Sequence, residues 1–280
     1  MKYFDPIKKR LVFVGSKATS DFWDEQWKAN GEIRREIIKI RKTFVSEVTK
    51  KFLRPEEGCL LEGGCGRGFN VMSLINNGYK CIGVDYAPKT VEVLNRALPE
   101  IEIKLADIRC LPFEDGLFAG YWSWGVIEHF YDGYEDVLDE IYRVIKDRGY
   151  LFLVFPYMSF FRKLKAVLGF YPLWHSAHRH GNFYQFALNA HSVISDFRNK
   201  GFVLVKALPL DGIKGIKDEM MFIKPLFQRM YSYKGSSILL KMAIRIINFV
   251  VSPLAGHSIL LILQKAGSSG RVSNKAYAHR

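Results

Sequence analysis

Stretches that stay apolar on consecutive positions, at 59–62, 80–85, 101–105, 118–124 and 150–155, alternate with stretches whose apolar residues return every three or four positions. The first kind reads as strands covered on both faces, the second as helices with one buried stripe. Helices are expected over about 70–76, where Gly78 offers a stop, from Pro88 through Val91, Leu94 and Ala97, and over 134–145, closed by Gly149. Such alternation implies a parallel, doubly wound α/β sheet, with 202–208 and 258–265 as sixth and seventh strands. Upstream, Ile37, Ile38, Ile40, Phe44, Val45 and Val48 fall among Lys and Arg at helical spacing, so 32–52 is expected to be one amphipathic helix with a basic outer face.

Candidate chemistry sits where these strands end. Leu60-Leu61-Glu62-Gly63-Gly64-Cys65-Gly66-Arg67-Gly68 runs from the first strand straight into a glycine loop. Gly64, Gly66 and Gly68 permit positive φ or close approach of a ligand to the backbone. With Phe69 next, the spacing departs from the dinucleotide pattern G-x-G-x-x-G, and no Lys-Ser or Lys-Thr follows to make a Walker loop. Asp85 ends the second strand 21 positions beyond Gly64. Nucleotide-binding α/β units place an acid at about that distance to accept hydrogen bonds from ribose hydroxyls.

Composition narrows the picture modestly. The 280 residues carry a formal net charge of +13, which favours anionic partners such as nucleic acid, a membrane surface or phosphorylated substrates. Cys59, Cys65, Cys81 and Cys110 form no C-x-x-C pair and are expected to be reduced and mostly buried. The first residues lack the apolar core of a secretory signal, so a cytoplasmic location is expected.

Glu62-x-Gly64-x-Gly66-x-Gly68 resembles the first motif of class I S-adenosylmethionine (SAM) dependent methyltransferases, and later segments extend the resemblance in order. The likeness is to the small-molecule, type 11 group that includes quinone-biosynthesis enzymes. It implies a Rossmann-like, doubly wound, seven-stranded sheet with its last strand antiparallel and helical inserts after strands 5 and 6. It also implies SAM as methyl donor, held by Glu62, Gly64, Cys65, Gly66, Gly68, Asp85, Tyr86, Asp107, Ile108 and Trp124, with Asp107 beside the adenine amino group. Gly125-Val126-Ile127-Glu128-His129 resembles a run that lies beside the methyl donor, and His129 is the candidate general base because imidazole titrates near neutral pH. Ala119 stands where the family often has Asp, Trp124 is bulkier than usual, and Asp147-Arg148 replaces a Pro-Gly pair.

The domain organisation expected is an N-terminal flap and basic helix over 1–58, a SAM-dependent domain over 59–265 with inserts at about 156–182 and 211–253, and a disordered basic tail over 266–280. The Phe22-Trp23-Asp24-Glu25-Gln26-Trp27 cluster is either a surface segment pinned by tryptophans or a flap over the cofactor. The segments 158–170 and 236–251 are basic and apolar, suited to a membrane interface or to a lid over the site. His175, His178 and His180 lack an accompanying Glu or Cys at ligand spacing, and no metal is expected. The expected activity is methyl transfer to a small acceptor, hydrophobic or lipid-linked, in a biosynthetic pathway. The alternatives are an RNA methyltransferase, which the basic charge suits but the strand-four loop does not, and a non-catalytic SAM-binding or membrane-associated protein. A NAD-dependent dehydrogenase would require glycine at position 69.

Overall fold

The protein, described by a computed structural model over residues 1–27, 33–175 and 182–267, begins with two antiparallel strands, β1 (Lys2–Asp5) and β2 (Arg10–Val14). The central sheet follows. Its strands β3 (Cys59–Gly63), β4 (Cys81–Asp85), β5 (Glu102–Leu105), β6 (Phe118–Trp124) and β7 (Ile145–Pro156) pair in parallel, in the order β5-β4-β3-β6-β7. After β8 (Phe183–Ala187), β9 (Phe202–Leu210) and β10 (Ser258–Lys265) extend this order as β10-β9, and β10 is antiparallel to both β7 and β9. The seven-stranded, doubly wound sheet with an antiparallel last strand is the one the sequence pattern and the resemblance imply.

The apolar runs are continuous because successive residues of each strand feed two separate cores. Leu61, Tyr121, Leu153 and Leu261 pack on one face with helices α6 (Glu135–Val144) and α8 (Ala190–Lys200). Leu60, Trp122, Phe152 and Leu260 pack on the other with α3 (Phe44–Thr49), α4 (Phe69–Ile75) and α5 (Pro88–Ala97). The Trp122 indole N–H donates to Thr49 Oγ1 at 2.9 Å, which satisfies the polar end of a fully buried ring.

Three elements differ from expectation. The single helix over 32–52 is two, α2 (Ile33–Ile37) and α3, because Thr43 caps α3 through Ser46 N–H while the Asn76 amide donates to Ile38 and Ile40 carbonyls in the break. The N-terminal segment, expected as a flap and basic helix over 1–58, also carries β1 and β2, and β2 pairs with β8. Leu11 and Val12 are buried there, and the Arg10 guanidinium lies 3.5 Å from the Phe186 ring centroid. The long insert after β9 holds α9 (Gly212–Glu219), α10 (Lys224–Tyr231) and α11 (Ile238–Ala255), so its apolar helix runs past both the apolar segment 236–251 and the expected end of the insert at about 253. The basic segment after β7 forms α7 (Phe160–Val167). His178, His180 and residues 268–280 of the tail lie outside the described residues.

Candidate functional site

β3 runs directly into the glycine loop, and the parallel register of β3 with β4 brings that loop over the end of β4. Gly64 adopts φ +73, and a Cβ there would lie 2.7 Å from Val126 Cγ2, so both conformation and space select glycine. The Gly66 N–H donates to Asp85 Oδ2 at 2.8 Å and the Ala87 N–H to Oδ1 at 3.0 Å. The carboxylate is thereby fixed at the strand tip, and burial raises its pKa above the ordinary value against these two donors.

The neighbouring strand tips add the next groups. Asp107 accepts from the Arg109 guanidinium at 2.6 and 3.1 Å and from the Arg109 N–H at 2.9 Å, which keeps its carboxyl below the usual range. The Tyr86 hydroxyl donates to the Ala18 carbonyl at 2.9 Å, and burial pushes the phenol up to about 12. Trp124 ends β6, half-exposed, with its ring edge against Phe44. His129 follows on a short 3-10 turn, with Nδ1 2.7 Å from the Tyr184 carbonyl oxygen. A carbonyl only accepts, so Nδ1 carries the hydrogen and Nε2 is the basic nitrogen. Burial lowers the His129 pKa below the ordinary 6.5, so the ring is neutral at physiological pH.

Helix α1 (Ser20–Gln26), capped by Thr19, covers this edge. Its buried Asp24 accepts from the Thr90 N–H at 2.8 Å and the Thr90 hydroxyl at 2.9 Å, so it caps the first turn of α5 and docks α1 in place. Trp23 and Trp27 then stack with centroids 5.7 Å apart, Trp23 meets His129 edge-on, and the Trp27 ring lies 3.0 Å from where a Gly66 Cβ would be. Both tryptophans of the cluster thus lie at this edge, beside His129 and the glycine loop.

These groups line one cavity of about 460 Å³, within the usual range for small-molecule sites. Gly64, Asp85, Tyr86, Asp107, Ile108, Trp124 and His129 are in its wall, together with Trp23 and Trp27. Glu62, Cys65, Gly66 and Gly68 are not. Gly66 acts through its amide on Asp85, Gly68 is the left-handed cap of α4, and the Cys65 thiol is buried with its pKa raised by desolvation. Glu62 lies behind the loop, with Oε1 accepting from the Asn70 amide at 2.8 Å and buried Oε2 without a hydrogen-bond partner. Burial pushes its pKa up to about 8, and the same holds for Glu128, whose Oε2 is likewise partnerless. The cavity also brings in Arg109, Asp132, Glu135 and Asp136, which the sequence reading did not single out. Its wall thus holds five carboxylates against one guanidinium, an anionic pocket in a basic chain. Among the described residues no group of side chains is arranged to hold a metal ion.

Residues 61–153 match a family model described as a methyltransferase domain. An uncharacterized methyltransferase-like protein of Schizosaccharomyces pombe is 28% identical over 134 residues, 44% of this chain and 50% of that protein. A Mycolicibacterium smegmatis protein whose name describes an S-adenosylmethionine-dependent methyltransferase is 32% identical over 95 residues, 34% of this chain and 36% of that protein. The matched segment therefore spans half or less of these relatives. Among solved structures, the fold is similar to Burkholderia thailandensis 1,6-didemethyltoxoflavin-N1-methyltransferase with bound 1,6-didemethyltoxoflavin and S-adenosylhomocysteine. That similarity has a TM-score of 0.52 and 13% identity, over 94% of this chain and 98% of that one.

Proposed function

We propose, from the premise that residues 61–153 form a class I SAM-dependent methyltransferase domain, that this chain transfers a methyl group from SAM to a small apolar acceptor, lipid-linked and met at a membrane surface. The observation that carries the reading is the convergence of the glycine loop, Asp85 and Asp107 on one cavity, since three consecutive strand tips supply what an adenosyl ligand needs. The residues fit the donor. Asp85 would hold a ribose diol, and Asp107 and Ile108 the adenine, all three being in the cavity wall. Five carboxylates in the wall suit a ligand with a net positive charge.

The bound donor supplies an electrophilic methyl group, so the protein's main task is positioning. Trp23 and Trp27 exclude water from that edge, and His129 Nε2 is the group able to take a proton where the acceptor must lose one. The RNA alternative is disfavoured by the anionic wall, which opposes a phosphodiester at the mouth. Calorimetric titration tests the reading: S-adenosylhomocysteine gives a one-site isotherm and NAD gives none. Absence of heat with S-adenosylhomocysteine, or binding of NAD in its place, overturns it.

A further inference from the structure

Four helices leave the sheet on the edge that carries the cavity. Ser258 of β10 pairs with both Pro156 and Leu210, so the chain exits from β7 into α7 and from β9 into α9 at the same level. The described residues include one helix, α11, long and apolar enough to cross a membrane. Only its later inward positions meet the domain: Asn248 Oδ1 accepts from the Ile213 N–H and Ser252 Oγ from the Gly212 N–H, each at 3.0 Å. Leu239, Met242, Ile246 and Phe249 recur at helical spacing on the side turned away, with Leu239 82% and Phe249 80% exposed. Phe222 at 97% and Val167 of α7 at 84% continue the same kind of surface. Large apolar side chains left this bare mark a surface that a partner covers.

Charge identifies the partner. Neither 156–182 nor 220–280 contains an Asp or Glu, although the chain has 28 acids. Exposed Lys163, Lys224, Arg229, Lys234, Lys241 and Arg245 are set among the bare apolar side chains. A second copy of the same face would bring like charges together, whereas anionic headgroups complement them while the acyl layer takes the Leu and Phe side chains. Spanning does not fit, because the second half of α11 is tied to the start of α9 through Asn248 and Ser252 and the helix continues into β10 of the central sheet. We infer that α7, α10 and α11 form one monotopic face that lies in the interfacial layer of an anionic lipid bilayer and holds the cavity-bearing edge of the sheet against it. An apolar acceptor then reaches the site from the lipid. That route rests on the methyl-transfer reading, and the docking does not.

Flotation of the full chain tests this, with vesicles of phosphatidylcholine alone and vesicles containing roughly a third phosphatidylserine. The wild-type protein is expected to float with the anionic vesicles and to be released by high salt. The double variant Leu239→Asp, Phe249→Asp changes two of the most exposed apolar side chains of α11, outside the cavity wall, so its melting temperature and S-adenosylhomocysteine affinity stay close to the wild-type values. Its floated fraction is expected to fall about tenfold or more. Wild-type protein left at the bottom of both gradients overturns the inference, as does a double variant that floats like the wild type. A wild-type dimer in light scattering that the double variant disperses assigns the face to a second copy and overturns it too. Flotation without any S-adenosylhomocysteine binding would leave the docking standing and remove the methyl-transfer reading.

Discussion

Replacing Asp85 by Asn isolates the group on which the donor site is centred. The two carboxylate oxygens already accept from the Gly66 and Ala87 amides at 2.8 and 3.0 Å, and the residue is part of the cavity wall. An Asn side chain has the same shape but a single acceptor oxygen, so one backbone donor is left facing an NH₂ group. A hydrogen bond to a charged group contributes on the order of 1.5–3 kcal/mol, so affinity for S-adenosylhomocysteine should fall roughly 10- to 150-fold. The unpartnered buried N–H costs about 1–3 kcal/mol of stability, a loss of several degrees in melting temperature. Isothermal titration near neutral pH reads the first effect and scanning calorimetry the second. Asp107→Asn is the control: Asp107 is partly exposed and its Arg109 pair is correspondingly weak, so melting should hardly change. Asp85→Asn protein that is folded and binds within about twofold of the wild type refutes the ribose assignment, because a loss that small lies below the net worth of one such hydrogen bond.

Four further outcomes follow from particular contacts. The His129 imidazole, followed by NMR with His129→Asn to assign its signals, should titrate below the ordinary 6.5, and a midpoint at or above 6.5 contradicts the buried neutral ring. Gly64→Ala sets a Cβ at φ +73 against Val126, and should lower stability by about 1–2 kcal/mol in thermal melts while Gly15→Ala, which meets nothing within 4 Å, leaves it unchanged. Glu219 accepts from Lys2, Arg162, Lys165 and Tyr171, so Glu219→Ala strands the buried Arg162 charge and should destabilise the fold by about 3–5 kcal/mol in urea titrations. The same cluster sets the acid response. His257 is lowered to about 4, so its contribution is full above 6.5 and lost as pH falls from 6.5 toward 4. Glu219 is lowered to about 2, so its contribution is full above 4.5 and lost from there toward 2. Relative to His257→Gln, the wild type should therefore lose melting temperature as pH falls from 6.5 toward 4.

The parallel half of the fold was legible because its strands are covered on both faces. Leu60-Leu61, Tyr121-Trp122 and Phe152-Leu153 each send neighbours to opposite cores, which in sequence is an apolar run that reads only one way. The strand-tip residues Asp85 and Asp107 were legible for the same reason, since the runs fix where the tips are. The N-terminal strands were not, because Tyr3, Phe4, Leu11 and Val12 make a short pair that is stable only when β8 closes it from 170 residues away. The break in 32–52 depends on Asn76 of another helix. Asp132 enters the cavity from the loop before α6, and Glu135 and Asp136 from the first turn of α6, off its apolar stripe; the signal available was the density of acids after His129 in an otherwise basic chain.

That density bears on how donor and membrane would share one molecule. The charge of +13 is unevenly divided: the cavity wall is anionic, and α7, α10 and α11 hold cations and no acids. The buried Arg162–Glu219 pair, joined by Lys2, Lys165 and Tyr171, locks α7 and α9 to the N-terminal strand, while His257 accepts from Arg162 at 3.1 Å where β10 begins. Helices fixed this way cannot swing independently of the sheet, so whatever orients them orients the cavity. A negatively charged bilayer concentrates cations near its surface. On the docking proposed above, an anionic pocket held there would meet a raised local concentration of a cationic sulfonium donor and lose that attraction once the product is neutral. The two opposed charge patches, which cancel in any whole-chain average, would then act in one direction: toward loading the donor and releasing its demethylated form.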